Sequence, residues 1–314
     1  SEKPILNSGR TKTVASAETG ETKETFISGC RSLNSLFGAE VFNLFGMNSP
    51  FPLAITSCSF LLFLCSASAK EGKVGPPIKG AEHVAYKEAS RSKLILNIFY
   101  PDGHDPKKDK RPAIVFFFGG GWNGGNPGQF GPHCEYLASR GMIAMSADYR
   151  VKSRQGTSPF ECVKDGKSAV RWIRENAKKL GIDPDRLAAG GGSAGGHVAA
   201  ATGTVKGLEE DGEDLSVSSR PNALVLFNPV YDNGPKGWGH SRVADRYKQI
   251  SPIHNIRKGT PPTIVFLGDK DSLIPVSTAE KYKALMEKVG SRSDLHVYAG
   301  QSHGFFNKGK KGNY

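Results

Sequence analysis

Apolar and polar positions along this chain fall into short strand-like runs separated by longer stretches with helical spacing. Glu82 to Ala89 and Lys93 to Tyr100 read as paired strands joined by a polar turn. Ala113 to Phe118 is a continuous apolar run ended by glycines, as expected of a central strand buried on both faces. A helix is predicted over Gln129 to Arg140, then a strand from Met142 to Ala147. Val163, Val170, Ile173, Ala177 and Leu180 recur at helical spacing, which predicts an amphipathic helix from Pro159 to Leu180, stopped by Gly181. Arg186 to Gly190 is a strand running into a glycine cluster, and His197 to Val205 is a helix-like run beyond it. Ala223 to Phe227, Thr263 to Leu267 and Leu295 to Tyr298 supply three more strands, with a helix over Thr278 to Val289 between the last two. Strands alternating with helices in this way predict an α/β fold with a mostly parallel central sheet and helices on both faces.

The pattern before Lys70 is different. Ser1 to about Glu40 is rich in Ser, Thr, Lys, Glu and Gly without an apolar period, so residues 1–46 are expected to be disordered or foreign to the fold. The uncharged run Phe51 to Ala69 ends in Ala67-Ser68-Ala69, a small-x-small pattern, and residues 47–69 are read as a signal peptide without a basic n-region. A secreted or periplasmic protein is the expectation, with a membrane anchor or a buried core helix as alternatives. Residues 70–314 are then the folded domain.

Composition changes this picture little. The 314 residues are 38% hydrophobic and 23% charged, enough for one sizeable core. The net charge of +12 is scattered, and its one dense run, Lys308 to Lys311, reads as a solvated tail, so no nucleic-acid partner is expected. The five cysteines show no CxxC or His-pair spacing, which argues against structural zinc. Glu209 to Asp214 reads as an acidic surface loop.

Candidate chemistry lies in two glycine loops. Gly119-x-Gly121-x-x-Gly124 follows a strand, and Asp148 ends the next strand, which together fit a dinucleotide fold. Gly190-x-Gly192-x-x-Gly195 matches the same pattern a second time, and Trp122 to Pro127 intervene before a helix can start, whereas a pyrophosphate needs the helix N-terminus at the loop. The other reading takes Gly191-x-Ser193-x-Gly195 as a nucleophile elbow. A serine nucleophile needs a base, a group to orient it and N–H donors for the oxyanion. Asp269 and Asp271 lie in the loop after Thr263 to Leu267, and His303 in the loop after the last strand. Ser, Asp and His thus follow one another, each just past the C-terminal end of a strand.

Phe118-Gly119-Gly120-Gly121-Trp122, Asp148-Tyr149-Arg150, Gly192-Ser193-Ala194-Gly195-Gly196-His197, Gly268-x-x-Asp271-x-Leu273-x-Pro275 and His303-Gly304-Phe305 form an ordered set. That set resembles the hormone-sensitive-lipase-like carboxylesterases and their acetylesterase relatives, of the α/β-hydrolase fold, over roughly Glu82 to Asn307. The resemblance implies hydrolysis of short-chain esters, without cofactor or metal, through Ser193 as nucleophile, His303 as base and Asp271 as orienting acid. Asp269 is the fallback acid. Gly119, Gly120 and Ala194 would supply the oxyanion N–H groups, with Gly121 in reserve. Substrates would be small esters, including acetylated carbohydrate, because Tyr231 to Gly259 is too short for a large lid. No lasting membrane partner is expected once the signal is cleaved.

Phe118 stands where the family usually has histidine, so the loop is expected to be distorted while its backbone donors, each worth about 2.7–4 kcal/mol, survive. The family's final helix has no counterpart before Tyr314, so either the chain is truncated or that helix is absent, and apolar sheet surface is expected to be exposed in consequence. Trp122 is a candidate substrate contact, with Phe130, Tyr231 and Trp238 as further pocket aromatics. His197, Asp148 and Asp165 are read as structural. Cys134 and Cys162 should lie on opposite faces of the sheet in this fold and so be free. A peptidase or a non-catalytic carrier on the same fold remains open, though His303 is in place.

Overall fold

The computed structural model describes residues 73–309, so the readings made on residues 1–72, the signal peptide among them, lie outside the described residues. Eight strands form one sheet in the order β1-β2-β4-β3-β5-β6-β7-β8. They are β1 (Glu82–Ala89), β2 (Ser92–Phe99), β3 (Arg111–Phe117), β4 (Ile143–Ala147), β5 (Ile182–Gly192), β6 (Ala223–Phe227), β7 (Thr263–Gly268) and β8 (Ser293–Tyr298). β1 and β2 pair antiparallel, as do β2 and β4. All pairings from β4 through β3 to β8 are parallel. The helices are α1 (Gly131–Ser139), α2 (Lys152–Gln155), α3 (Pro159–Glu175), α4 (Ala177–Leu180), α5 (Ala194–Thr204) and α6 (Val276–Lys288). This is the α/β-hydrolase fold expected from the sequence.

Side chains on a strand alternate between faces, and β3 shows what that does to the core. Ala113, Val115 and Phe117 join the cluster built with Val170 and Ile173 of α3 and Val198 of α5. Ile114 and Phe116 belong to a second cluster with Phe130 and with Cys134 and Ala138 of α1. Cys162 sits in the first cluster and Cys134 in the second, and both thiols are free and buried. Burial, with nearby carboxylates (Glu135 for Cys134, Asp165 and Glu161 for Cys162) adding to it, pushes both thiols well above their ordinary pKa, which makes them poor nucleophiles. On the Cys134 face, Phe227 of β6 and Phe266 of β7 are only half-buried and stack on each other at 5.1 Å.

The long helix predicted from Pro159 is well started. Ser158 and Glu161 form a reciprocal capping box, with Pro159 in the first turn. It is interrupted at Asn176, whose side chain donates to the Trp172 carbonyl and ends α3, and α4 resumes for one turn before Gly181 turns left-handed at φ 65°. The acidic loop is not the solvated one expected. Glu209, Glu210 and Glu213 are turned inward, while Asp211 and Asp214 remain exposed. Glu209 pairs with Lys167 at 2.6 Å and Arg171 at 2.5 Å, and Glu213 also pairs with Arg171. Glu210 and the fully buried Asp165 share Lys87 and Arg150 at 2.6–2.8 Å. Buried cations need such partners, so α3 recruits the loop as counter-charge. Asp165 is structural, as expected.

Candidate active site

The turn between β5 and α5 is the narrowest place in the fold. Ser193 takes φ 54° and ψ −121°, a strained conformation for a residue with a side chain. Its neighbours leave no room: a Cβ on Gly195 would lie 2.0 Å from the Phe117 carbonyl oxygen, and one on Gly191 2.5 Å from the Gly195 oxygen. Those two glycines let the elbow press against the end of β3, and the serine is left projecting from the sheet's carboxyl edge.

The loops after β7 and β8 converge on it. Ser193 Oγ donates to His303 Nε2 at 2.9 Å, and His303 Nδ1 donates to Asp271 Oδ2 at 2.7 Å. Asp271 can only accept there, so the proton is on Nδ1 and the Nε2 lone pair faces the hydroxyl. Its other oxygen, Oδ1, accepts the N–H groups of Leu273 and Ile274, both at 2.9 Å, which fixes the carboxylate in a site where its side chain is fully buried. Asp269, the fallback, is exposed and instead accepts from Gly300 N–H at 2.7 Å. Asn228, which sequence reading missed, has its Nδ2 at 3.3 and 3.4 Å from the two His303 nitrogens. A donor equidistant from both lies against the ring face, since the in-plane positions are taken.

The glycine loop differs from expectation at Gly119. Its N–H donates to Gln129 Oε1 at 2.6 Å and is not free for an oxyanion. Gly120 and Gly121 follow, both at positive φ and both lining the cavity that holds Ser193 and His303. Among the described residues neither of their N–H groups has a partner. The Gly121 carbonyl accepts from Arg242, whose guanidinium lies over the Trp238 ring at 5.1 Å. Phe118 does not push the loop aside. Its fully buried ring stacks on Tyr149 at 4.2 Å, and the Tyr149 hydroxyl donates to its carbonyl at 2.6 Å, so the residue anchors the loop from below.

That cavity measures about 270 Å³ and is also lined by Gln129, Asn228, Trp238, Leu273, Phe306 and Asn307. A larger groove, about 1190 Å³, lies at the amino ends of β6 to β8 around Asn222, Pro262 and Arg292 and touches none of the three convergent groups. Trp122 is not a cavity residue. It is 2% exposed, packed edge-on against His197 at 4.9 Å, and faces a separate recess with Lys152 and Ser158. Phe130 and Tyr231 are core, which leaves Trp238 alone among the aromatics considered. The dinucleotide reading also fails at Asp148, which is fully buried, paired with Arg154 at 2.6 Å and accepting from Gly75 N–H at 2.7 Å. Among the described residues, no cluster of His, Cys, Asp or Glu could hold a metal ion.

His197 is structural, and it has a measurable consequence. Burial lowers its pKa from 6.5 to about 3, against weaker opposing contacts with the Ile250 backbone and Asn233. The unfolded chain therefore binds a proton near pH 6.5 that the folded one refuses until about 3. Stability from this group is complete above pH 6.5 and is lost as pH falls toward 3, by up to about 1.4 kcal/mol per pH unit. Urea unfolding at pH 7 and pH 5 should show this loss, and His197→Phe should reduce the slope. An unchanged slope in the variant would mean that other groups carry it.

Comparison with known proteins finds esterases of the same fold. Residues 96–232 match the BD-FAE family model and residues 230–314 the dienelactone hydrolase family model. The solved structure of Thermogutta terrifontis esterase 2, phosphoramylated by tabun, is 47% identical, with a TM-score of 0.73 over 76% of this chain and 90% of that one. The same esterase has been solved with propionate and with butyrate bound. Esterase LipC of Mycobacterium tuberculosis is 29% identical over 62% of this chain and 53% of its own, and an acetylxylan esterase of Xylanibacter ruminicola is 26% identical over 64% and 42%. The chain thus spans about half the length of relatives such as LipC. On identity, coverage and shared fold together, this chain belongs to the α/β-hydrolase carboxylesterases of the hormone-sensitive-lipase-like type.

Proposed function

We propose that this protein is a serine esterase acting on short-chain carboxylic esters through an acyl-enzyme. The observation that carries the reading is the continuous path from Ser193 Oγ through His303 to Asp271, at 2.9 and 2.7 Å, opening into a cavity of about 270 Å³. In the mechanism, Oγ attacks the ester carbonyl carbon while His303 Nε2 takes its proton. The oxyanion that forms is received by the N–H groups of Gly120, Gly121 and Ala194, the last at the first position of α5, where no intrahelical acceptor exists. Collapse expels the alcohol, which takes the proton from His303. Water, deprotonated by the same nitrogen, then releases the acid and frees Ser193. Asp271 keeps the imidazole in the tautomer that accepts from serine and stabilises the imidazolium.

The cavity is smaller than most ligand pockets, and Trp238, Leu273 and Phe306 bound it with apolar surface. That supports acyl groups of two to four carbons. Acetylated sugars are the natural class the resemblance to an acetylxylan esterase favours. A series of p-nitrophenyl esters from acetate to decanoate tests the reading, together with paraoxon labelling read by peptide mass spectrometry. The expected outcome is a kcat/KM at least about tenfold higher for two to four carbons than for ten, and one phosphoryl adduct on the Ser193 peptide. Preference for decanoate would overturn the short-chain part, and labelling elsewhere would overturn the nucleophile.

A further inference from the structure

Two side-chain amides join the loop of the oxyanion donors to the loop of the base. Gly119 N–H donates to Gln129 Oε1 at 2.6 Å, Gln129 Nε2 donates to Asn307 Oδ1 at 2.8 Å, and Asn307 Nδ2 donates to the Gly304 carbonyl at 2.8 Å. The direction of this chain is set at both ends. A backbone N–H must be met by an oxygen and a carbonyl by a donor, so turning either amide over would set like against like at two contacts. Gly119 immediately precedes Gly120 and Gly121, and Gly304 immediately follows His303. The far side of the Gly304 peptide is held as well, its N–H reaching Asn228 Oδ1 at 3.3 Å.

Beneath the amides, the next residue on one side and the preceding residue on the other repeat the connection in apolar form. Phe130 and Phe306 stack with ring centres 5.5 Å apart and planes 16° from parallel. The two segments therefore stay attached when the amides are removed. Gln129 itself sits in a 3-10 turn, Pro127–Phe130, whose cap Asn126 accepts from Gly128 N–H at 2.9 Å. Both amides line the reaction cavity, so a bound acyl group shields them from water and strengthens the links.

We propose that Gln129 and Asn307 are positioning residues, a strut that fixes the oxyanion donors relative to the base so that attack and proton transfer occur in one geometry. The inference rests on the esterase reading above. Misplacement by an ångström costs about a hundredfold in rate, so breaking the strut should lower turnover without touching a reacting group.

Gln129→Leu, Asn307→Leu and the double variant test this, with kcat expressed per active site by paraoxon titration of Ser193. Each single variant is expected to lose about 10- to 100-fold in kcat with KM within about threefold of wild type. The double variant should lose no more than either single one, because both cut the same link. Affinity for a trifluoromethyl ketone, which forms a tetrahedral adduct on Ser193, should fall in parallel with kcat. Hydrogen exchange at Gly119 and over residues 303–307 should rise together in either single variant, a readout that needs no turnover. Rates within twofold of wild type, multiplicative losses in the double variant, or exchange rising only in the mutated loop would each overturn the strut. Absence of turnover in wild type, with coupled exchange retained, would instead remove the esterase reading and leave the strut standing.

Discussion

Ser193→Ala is expected to reduce kcat for p-nitrophenyl acetate by about 10⁵- to 10⁶-fold while leaving the fold intact. The magnitude follows from what the hydroxyl does. In the proposed mechanism it is the attacking oxygen, 2.9 Å from its base, and no other residue lining the 270 Å³ cavity carries a hydroxyl or thiol to form the acyl-enzyme in its place. The residual rate reflects the N–H groups of Gly120, Gly121 and Ala194, which still stabilise attack by water. Stability should change little, because alanine at position 193 would meet the same left-handed backbone cost at φ 54° that serine already bears. Steady-state kinetics with an unfolding curve on each protein check both halves. Equal turnover would place the nucleophile elsewhere.

Asp271→Asn should cost about 10⁴-fold in kcat, while Asp269→Asn stays within about threefold. The contrast comes from hydrogen-bond direction. At position 271 one side-chain atom accepts two backbone N–H groups, from Leu273 and Ile274, and must remain an oxygen. An asparagine therefore turns its Nδ2 toward His303 and donates to Nδ1. The histidine proton moves to Nε2, where it confronts the Ser193 hydroxyl instead of accepting from it. Asp269 is on the surface, its carboxylate bonded only to Gly300 N–H among the described residues, and its loss relaxes a turn. Comparable losses in both variants would show that loop order, not the tautomer, is what the carboxylate supplies.

The legible part of this protein was local or ordinal. Short strand-like runs placed β1 at Glu82–Ala89 and the wholly apolar β6 at Ala223–Phe227 to the residue, and glycines bracketing Ser193 marked a turn that needs them. The choice of Asp271 over Asp269 came from spacing within the family's motif, and the structure brings Asp271 to His303. Reading failed where a side chain's partner is distant or where burial reverses its usual habit. Glu209 and Glu210 looked solvated because six consecutive residues are acidic or glycine, and nothing nearby signals that Lys167, Arg171, Lys87 and Arg150 need counter-charges. Trp122 looked like a pocket aromatic because it adjoins the glycine loop, yet at φ 57° its side chain is carried into the core against His197. Phe118 looked like a defect until Tyr149, 31 residues on, proved to hold it.

Sequence alone therefore determined the order of strands and helices, the elbow, and the succession of Ser, Asp and His at carboxyl ends of strands. Each of those depends on residues within a turn or two of one another, or on the rule that parallel strands present their ends on one edge. Only the tertiary structure decided which N–H groups of the glycine loop are bonded and which are left without a partner among the described residues. Gly119 is removed from that set by a side chain 10 residues away, and the amide that does so is itself held by one 178 residues further along the chain. Hydrogen-bond donors near a glycine loop are chemically identical in sequence. Folding distinguishes them, because it spends one donor on holding the loop and leaves the next two, in residues that line the cavity, without a partner among the described residues.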